Sequence, residues 1–311
     1  MGAFLVRRLL QSALLLVAVV SGVFFLVHIT PGGPEVALLQ NPRTSPEEIQ
    51  RVRDRFGLDE PLAVQYVRWI GSAAHLDFGR SYFYARPVVE VIAERMGPTL
   101  QLGLASYAIA LVGVPLGVMA ALQRGRPGDT VVRVVSTVGT AVPTWWLGLT
   151  SIVVLSSLTG WFPNGQGQGG PGEWFKYIIL PALVLGLAGL VTFARFVRSG
   201  VLEALGEDHV RTARAKGLRP TDVTLRHVLR TALLPVVTLL GALLPTVLSG
   251  ALITEYIFAW PGVGRLFYEA ATSRDYPLVL GILTLTTFAT IIGTLLADLA
   301  YGVVDPRVRY S

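Results

Sequence analysis

The sequence predicts an all-α polytopic membrane protein with six transmembrane helices. The chain has 311 residues, of which 52% are hydrophobic and only 15% are charged, and its mean hydropathy is +0.57. Soluble domains carry about 25% charged residues, so the deficit indicates that much of the chain is buried in lipid. Six apolar stretches each exceed the ~20 residues that a helix needs to cross ~30 Å of hydrocarbon.

The predicted spans follow one another along the whole chain: Leu9–Ile29, Thr99–Leu122, Val131–Leu158, Tyr177–Arg198, Thr231–Thr254 and Leu278–Val304. The first follows Arg7 and Arg8, and its apolar stretch is longer than the about 7–15 residues of a signal-peptide core, so we interpret it as a retained span. Gly113 and Gly117 are spaced to allow close helix contact. Prolines within the spans favour kinks because they remove a backbone hydrogen bond. They are Pro115, Pro143, Pro181 and Pro245.

The distribution of Lys and Arg predicts that both termini are cytoplasmic. Short segments on one side of the predicted spans carry fifteen of these residues, whereas those on the other side carry three. Positive residues accumulate in cytoplasmic loops. The long segment after the first span holds eight Arg, but segments above ~60 residues translocate largely regardless of charge. We therefore expect that segment outside and the basic loop 203–235 inside.

Three parts follow from this topology: an N-terminal transmembrane helix (1–30), an extracytoplasmic segment (31–98), and a five-helix core (99–311) that includes the loop 203–235. In the outer segment, capping and proline signals predict short amphipathic helices starting near Ser45, Pro61 and Pro87. They can form a platform for an external partner or a structural cap over the helix bundle. The sequence leaves both interpretations open.

The basic loop contains the predicted functional site. Asp208 is placed to cap a short helix and Gly217 to end it. We interpret this helix as a docking site for another protein. The predicted site residues are Asp208, His209, Val210, Arg211, Thr212, Ala213, Arg214, Ala215, Lys216, Gly217 and Leu218.

The spacing within this helix supports docking over a simple charged loop. Val210, Ala213 and Gly217 fall close to one face, where the small residues would let a partner approach the backbone. Arg211 and Arg214 are left to reach polar groups on that partner. An ordinary positive-inside loop would explain the charge, but not the spacing of the small residues.

The sequence contains no recognisable catalytic, cofactor-binding or metal-binding motif. Lys176 and Lys216 follow Phe175 and Ala215, so neither belongs to a Gly-Lys-Ser/Thr loop that would hold nucleotide phosphates. Neither His-Glu-x-x-His nor Gly-x-Ser-x-Gly occurs. The four histidines are scattered and cysteine is absent, which excludes disulfides and thiolate metal sites. We expect this chain to bind no cofactor or metal.

Ionisable residues near the ends of the spans are interpreted as structural. Asp298 lies within the last span and Glu255 ends the fifth. A proton relay would need several acids aligned in mid-membrane, and none are seen. Arg195 and Arg198 are expected to snorkel towards the headgroups. Five aromatic residues can line a cavity or its outer gate, or form an aromatic belt at the headgroups, and the belt is favoured for Trp260. They are Trp145, Trp146, Tyr256, Phe258 and Trp260.

A series of different short motifs is distributed along nearly the full length of the chain. The first half contains Arg7-Arg8-Leu9-Leu10, His28-Ile29-Thr30-Pro31-Gly32, Gly57-Leu58-Asp59-Glu60-Pro61-Leu62, Gln65-Tyr66, Phe78-Gly79-Arg80-Ser81 and Pro115-Leu116-Gly117. The second half contains Arg211-Thr212-Ala213-Arg214-Ala215-Lys216-Gly217-Leu218, Glu255-Tyr256-Ile257-Phe258, Pro261-Gly262-Val263-Gly264, Arg274-Asp275-Tyr276-Pro277 and Asp305-Pro306-Arg307-Val308-Arg309-Tyr310. Together they resemble the membrane permease subunit of the dipeptide/oligopeptide/nickel group of ATP-binding-cassette (ABC) importers.

The resemblance implies a type I ABC importer permease fold in the bacterial cytoplasmic (inner) membrane, forming half of a translocation pore. It implies a second homologous permease subunit, two ATPase subunits that bind ATP and Mg, and an extracytoplasmic substrate-binding protein. Membrane lipid is also an expected partner, whereas nucleic acid is not. In such permeases a coupling helix docks into the ATPase, and the match here falls on Asp208–Leu218. The family's Glu-Ala-Ala triplet is replaced by Arg211-Thr212-Ala213, and Thr294 stands where Asn is expected.

The resemblance favours short peptides as cargo and leaves nickel, haem and sugars open. The translocation-path or gate candidates are Pro143, Trp145, Trp146, Glu255 and Phe258. Two other classes remain as alternatives, a self-contained ion-coupled secondary transporter and a membrane scaffold that transports nothing.

Overall fold

A computed structural model describes residues 2–29, 47, 50, 53–54, 59–163, 173–233, 236 and 251–304. This part of the chain is mainly helical, and its one β-type pairing is an isolated bridge between Arg80 and Pro87. The main helices are α1 (Gly2–Ile29), α2 (Leu62–Ala73), α3 (Val88–Leu111), α4 (Gly113–Leu122), α5 (Pro127–Ala141), α6 (Thr144–Ser151), α7 (Trp174–Leu205), α8 (Asp208–Ala215), α9 (Leu252–Ile257), α10 (Val263–Thr272) and α11 (Tyr276–Val304). A return segment after α8 comprises Pro220–Asp222, Val223–Val228 and Leu229–Ala232.

Four stretches of the described chain are long and apolar enough to cross a membrane. They are Arg7–Ile29, Val88–Leu122, Trp174–Leu205 and Tyr276–Leu296. Each overlaps a predicted span, which confirms those four spans as helices. Most of the predicted span Thr231–Thr254, the predicted helix near Ser45 and the side chain of Asp298 lie outside the described residues.

The third predicted span is two helices rather than one. Helices α5 and α6 meet at an angle of 99°. Val142 is extended (φ −84°, ψ 121°), and Pro143 occupies the N-cap of α6. Proline biases its preceding residue away from helical geometry and has no N–H to donate, so the chain turns here. The predicted kink at Pro143 is confirmed, and the predicted span Val131–Leu158 falls on this bent pair of helices.

Helix α3 joins the outer segment to the core without a break. It starts at Val88, directly after the predicted Pro87 start, and passes through Pro98. The predicted boundary between 31–98 and 99–311 therefore falls inside a continuous helix. Beyond α3, Gly117 packs against α7, where an added Cβ would lie 2.5 Å from Ala194 O. This confirms the close helix contact predicted for that glycine.

Helix α2 is the amphipathic helix predicted to start at Pro61, and it packs on α1. The Tyr66 hydroxyl lies 2.7 Å from the Ser21 hydroxyl, within hydrogen-bond distance. The rings of Tyr66 and Trp69 each lie 5.4 Å from the ring of Phe24. The apolar face of α2 therefore covers the end of the first span.

Two apolar cores occupy opposite ends of α3. The α8 core contains Ala110, Val197, Val201, Ala204, Val210, Ala213, Val223, Val228 and Ala232. The α10 core contains Phe78, Val88, Val91, Ile92, Val263, Leu266, Ala270, Leu278 and Ile282. Helix α7 runs beside α3 and α4, and both it and α3 contribute to the α8 core. The two cores set the positions of the candidate sites.

Candidate functional site

Helix α8 forms within the predicted docking loop. The residue before it, Glu207, has an extended backbone (φ −74°, ψ 151°) and occupies the N-cap, so the expectation that Asp208 caps the helix is wrong. Asp208 is instead the first helical residue, where its carboxylate interacts favourably with the helix dipole. The helix is thus started by backbone geometry and charge rather than by a side-chain cap.

Gly217 ends α8 as predicted. Its φ is +77°, in the left-handed region that side chains with a Cβ rarely adopt. Gly217 N donates to Arg214 O at 2.9 Å, and Leu218 N donates to Ala213 O at 3.4 Å. These two bonds form a Schellman motif, which satisfies the last carbonyls of the helix.

One face of α8 is buried against its own chain. Val210 is 0% exposed and Ala213 is 4% exposed, and both belong to the α8 core. They pack with Val201 from α7 and with Val223 and Val228 from the return segment. The expectation that Ala213 lets a partner approach is therefore wrong, because Ala213 lets α8 approach its own core.

The opposite face of α8 is exposed and cationic. It carries Arg211, Arg214 and Lys216, and Arg219 follows at the start of the return segment. Arg211 reaches Asp208 only at 3.6 Å, with side chains 73% and 96% exposed. An ion pair this exposed contributes little, so the face presents a cluster of positive charge. The remaining exposed site residues are Asp208, His209, Thr212, Ala215, Gly217 and Leu218.

The surroundings of α8 are held by polar contacts that span long stretches of sequence. His209 Nε2 lies 3.1 Å from His227 O, on the return segment. At the end of α7, Arg198 Nε and Nη2 donate to the two carboxylate oxygens of Asp129, at 2.5 Å and 3.0 Å. Asp129 also accepts from Gly125 N at 3.0 Å. The expected snorkelling of Arg198 is wrong, since its guanidinium is bound bidentately within the protein.

The path and gate candidates separate into an exposed and a buried set. Pro143 is exposed, and Trp145 and Trp146 are each 49% exposed on α6. Phe258 is 3% exposed and packs with Leu180 and Val184 of α7. The two tryptophans therefore remain available to a cavity, lipid or another subunit, whereas Phe258 is part of the protein interior.

Glu255 is fully buried at a junction of three segments. Its carboxylate accepts hydrogen bonds from Thr99 Oγ of α3 at 2.9 Å, Gly264 N at 2.7 Å and Arg265 N at 3.1 Å. The two amides are in the first turn of α10, so the carboxylate also stabilises the positive end of that helix dipole. Glu255 thus ties α9, α10 and α3 together and faces no solvent.

Trp260 belongs to the same junction. Its side chain is 0% exposed and its indole N–H donates to Pro98 O at 2.8 Å. Pro98 lies within α3. The assignment of Trp260 to a surface aromatic belt is therefore wrong.

A second buried carboxylate, Asp275, follows α10. It accepts from Ser81 Oγ at 2.5 Å, from Phe83 N at 3.0 Å and from Leu278 N in the first turn of α11 at 3.3 Å. Asp275 is 0% exposed. Sequence reasoning did not assign roles to Asp275, Thr99 or Asp129, because each finds its partner across a long stretch of chain.

Among the described residues, no three His, Asp or Glu side chains are grouped so that they could hold a metal ion. The described residues instead form a cationic helix face on one core and two buried carboxylate junctions around the other.

Two family models match the chain. "Binding-protein-dependent transport system inner membrane component" matches residues 113–310, and the N-terminal model of such membrane components matches residues 1–103. The chain is 37% identical over 317 residues to "Oligopeptide transport system permease protein AppB" of Bacillus subtilis (strain 168), covering 100% of both chains. It is 38% identical over 309 residues to "Glutathione transport system permease protein GsiC" of Escherichia coli O1:K1 / APEC, covering 99% of both.

Solved structures show the same fold at lower identity. The fold is similar to a chain of the inward-facing MetNI methionine ABC transporter, with a TM-score of 0.53 and 20% identity, covering 70% of this chain and 97% of that chain. An amino acid ABC transporter solved with histidines gives a TM-score of 0.52 and 16% identity, covering 68% and 92%. The predicted type I importer permease fold is thereby confirmed.

Proposed function

This chain belongs to the family of binding-protein-dependent transport system inner membrane components, and we propose that it forms half of the path through which short peptides are imported. It is a multi-pass protein of the bacterial inner membrane and a permease subunit of an ABC importer. The names of two relatives support peptides as cargo, since one is an oligopeptide permease and the other a permease for glutathione, itself a tripeptide.

The observation that carries the proposal is the two-sided construction of α8. Its buried side, with Val210 and Ala213, is packed on the α8 core, and its other side presents Arg211, Arg214 and Lys216 to solvent. A partner pressing on that exposed face would move α8 together with the end of α7, because both share one core. We propose that this partner is the ATPase subunit, and that ATP and Mg bind there and not to this chain.

The proposed complex contains two ATPase subunits, a second permease subunit and an external substrate-binding protein. Exposed apolar residues on α5 and α6 are the evidence for a second permease subunit. Each is about half exposed: Val131, Val134 and Val138 on α5, and Trp145 and Leu149 on α6. The residues on α5 recur at helical spacing, as an amphipathic contact face requires. We propose that this face meets the second permease subunit across the translocation path.

The proposed mechanism is alternating access without covalent chemistry on the cargo. A ligand shifts a two-state equilibrium only by its differential affinity for the two states. ATP binding must therefore favour one arrangement of the paired permease subunits over the other. Closure of the ATPases would move α8 and open the path outward, and hydrolysis would let it return to the inward-open state.

Uptake into liposomes tests this function. We expect uptake of a radiolabelled short peptide only when the full complex, including the external binding protein, is present with ATP inside. Uptake by this chain alone, driven by a proton or sodium gradient, would show the ion-coupled class of transporter instead. If no short peptide is taken up in the presence of ATP although the ATPase subunits are bound, the permease assignment would stand and the assignment of peptides as cargo would be wrong.

A tryptophan placed on α8 tests the docking face. Ala215 is exposed on α8, so Ala215→Trp should abolish co-purification with the ATPase while leaving the fold intact. Ala74→Trp, an equal increase in size on an exposed residue after α2, is the matched control. Gly217→Trp is less informative because Gly217 has a φ of +77°, which strains any other residue. Full co-purification by Ala215→Trp would rule out α8 as the coupling helix.

The same two positions test the proposed topology, with both termini cytoplasmic. The chain contains no cysteine, so Ala215→Cys and Ala74→Cys each carry a single thiol. A membrane-impermeant maleimide added to intact cells should label position 74 and not position 215. The opposite labelling would invert the orientation.

A further inference from the structure

A cavity of about 380 Å³ lies beside the end of α1. It is an open cleft lined by the last turns of α1, one face of α2, the turn 77–82 and the first turns of α11, together with Asp54 and Glu60. Its volume is within the range of about 300–1,000 Å³ that is typical of ligand sites. It is separate from α8 and from the exposed face of α5 and α6, so the proposed transport function does not account for it.

Aromatic rings form one wall of this cavity. Phe24 and His28 are stacked, with ring centroids 4.0 Å apart, and His28 lies 5.6 Å from Tyr276. The Trp69 ring lies 5.4 Å from Phe24. All four side chains line the cavity. Phe24 is itself only 2% exposed, so the rings that an organic cation could contact are those of His28, Trp69 and Tyr276. Aromatic rings attract such a cation, most strongly where water is excluded.

Charged groups of both signs complete the lining. Glu60 and Arg68 are paired with each other, at 2.8 Å. Asp77 accepts from Gly79 N at 2.9 Å, and Arg80 donates to Ala85 O. Within the described residues, neither Asp77 nor Arg80 has an ion-pair partner, and they lie three positions apart on one turn. Asp54 also lines the cavity and accepts from Gln50 Nε2 at 2.9 Å. Among the described residues, the cavity therefore offers two carboxylates, Asp54 and Asp77, and one guanidinium, Arg80, that are not in ion pairs.

The position of the cavity indicates how a ligand reaches it. Helix α1 ends at Ile29, the end of an apolar stretch of 23 residues that is long enough to span the bilayer. The cavity lies at that end, at the depth of the lipid headgroups on whichever side it faces. Beside it, α1 exposes Leu26 and Ile29, 69% and 72% exposed respectively. A molecule with a charged head and apolar tails can occupy the cavity and lie against α1 at once.

We propose that this cavity binds the headgroup of an aminophospholipid such as phosphatidylethanolamine. The ammonium group would lie beside Asp77 and the aromatic wall, and the phosphate beside Arg80. The acyl chains would lie along the exposed apolar face of α1. Such a lipid would hold α1, α2 and the start of α11 together at the membrane surface.

Native mass spectrometry of the purified full-length chain tests the proposal. The chain is titrated with phosphatidylethanolamine or with phosphatidylglycerol of the same acyl composition. We expect preferential retention of phosphatidylethanolamine. Asp77→Asn and Arg80→Gln should each weaken that retention about tenfold, the loss expected for one charge-assisted hydrogen bond. Asn at position 77 can still accept from Gly79 N, so the turn is expected to keep its shape.

Controls separate this site from general lipid adhesion. Arg133→Gln and Glu173→Gln, both exposed residues that do not line the cavity, should leave lipid retention unchanged. Equal retention of both lipids by the unmodified chain, or full retention by Asp77→Asn, would overturn the proposal. Displacement of the lipid by soluble phosphoethanolamine at equal concentration would also overturn it, since the occupant would then be a free zwitterion rather than a lipid.

Discussion

The α8 core and the α10 core lie at opposite ends of α3 and are fixed in different ways. Around the α10 core, buried carboxylates of Glu255 and Asp275 accept hydrogen bonds from several segments. On the α8 core, α8 is seated mainly through Val210 and Ala213, with its charges facing solvent. A hydrogen bond weakens steeply as its donor–hydrogen–acceptor angle departs from linear, whereas the stabilisation from apolar burial does not depend on direction. The α10 core is therefore held in one geometry, whereas the packing of α8 on the α8 core can tolerate small shifts.

This difference matches the proposed roles of the two ends. A helix that receives a push from an ATPase has to move with its core and return. A junction that holds α9, α10 and α3 together has to keep its shape while other parts move. Substitutions around each core can test whether directional bonds stabilise the α10 core and apolar packing holds α8 on the α8 core.

The largest effect is expected from Glu255→Ala. The change leaves the Thr99 hydroxyl and the amides of Gly264 and Arg265 without their acceptor inside the protein. Each unsatisfied buried donor costs about 1–3 kcal/mol, so the three together are expected to lower the free energy of unfolding by at least about 3 kcal/mol. Denaturant unfolding of the purified chain in detergent measures it.

Glu90→Ala is the matched control for that change. The Glu90 side chain is 58% exposed and lies 3.5 Å from Arg86, on the surface of α3. Exposed pairs are worth about 0–1 kcal/mol, so the control should be nearly neutral. Equal losses for the two variants would show that the buried junction carries no special stability.

Gly264→Ala should be the next most harmful change. An added Cβ would lie 2.6 Å from Leu252 Cα and 2.8 Å from Leu252 N, which are backbone atoms that cannot rotate away. Overpacking of this kind costs about 1–3 kcal/mol, and we expect the upper end because the neighbour is backbone. Thermal unfolding compares it with Gly71→Ala, where no atom lies within 4 Å. That control sits in helix α2 and should be stabilising by about 0.5–1 kcal/mol. Destabilisation of similar size in both would contradict the packing argument.

Val210→Ala tests the apolar seat of α8. Val210 is 0% exposed, and removing two of its carbons should cost about 2 kcal/mol, including the cavity left behind. Arg211→Ala, on the exposed face of the same helix, should change stability by less than about 0.5 kcal/mol. If α8 docks on an ATPase, Arg211→Ala should weaken co-purification with it although the fold is unchanged. A stability loss for Arg211→Ala equal to that for Val210→Ala would contradict the two-sided construction of α8.

Sequence patterns predicted the parts of the fold that local chemistry determines. Hydropathy predicted four spans that the described helices confirm, and Pro143 and Gly217 predicted a kink and a helix end. The patterns did not predict that α5 and α6 meet at 99° or that Ala213 faces inward. An amphipathic short helix shows two faces, but the pattern does not tell which face meets the chain itself.

Long-range polar pairs were beyond the reach of sequence patterns for a physical reason. Thr99 and Glu255 are separated by 156 residues, and Ser81 and Asp275 by 194. Neither residue of such a pair carries a local signal, because the bond forms only after the helices have packed. A charged residue at the end of an apolar stretch therefore predicts snorkelling and a buried partner equally well, as Arg198 illustrates.

The ion pair between Asp129 and Arg198 sharpens the comparison most. Like the contact of His209 with His227 O, it is a directional contact at the α8 end. It joins the first turn of α5 to α7 with bonds of 2.5 Å and 3.0 Å. Asp129→Asn and Arg198→Gln should each lower the Tm, and the double variant should lower it by less than the sum of the two. Arg198→Lys should also fail to restore full stability, because an ammonium cannot reproduce the two-pronged bond of a guanidinium. Additive single effects would mean that the two residues are not coupled, and that this pair does not fix the geometry of the α8 end.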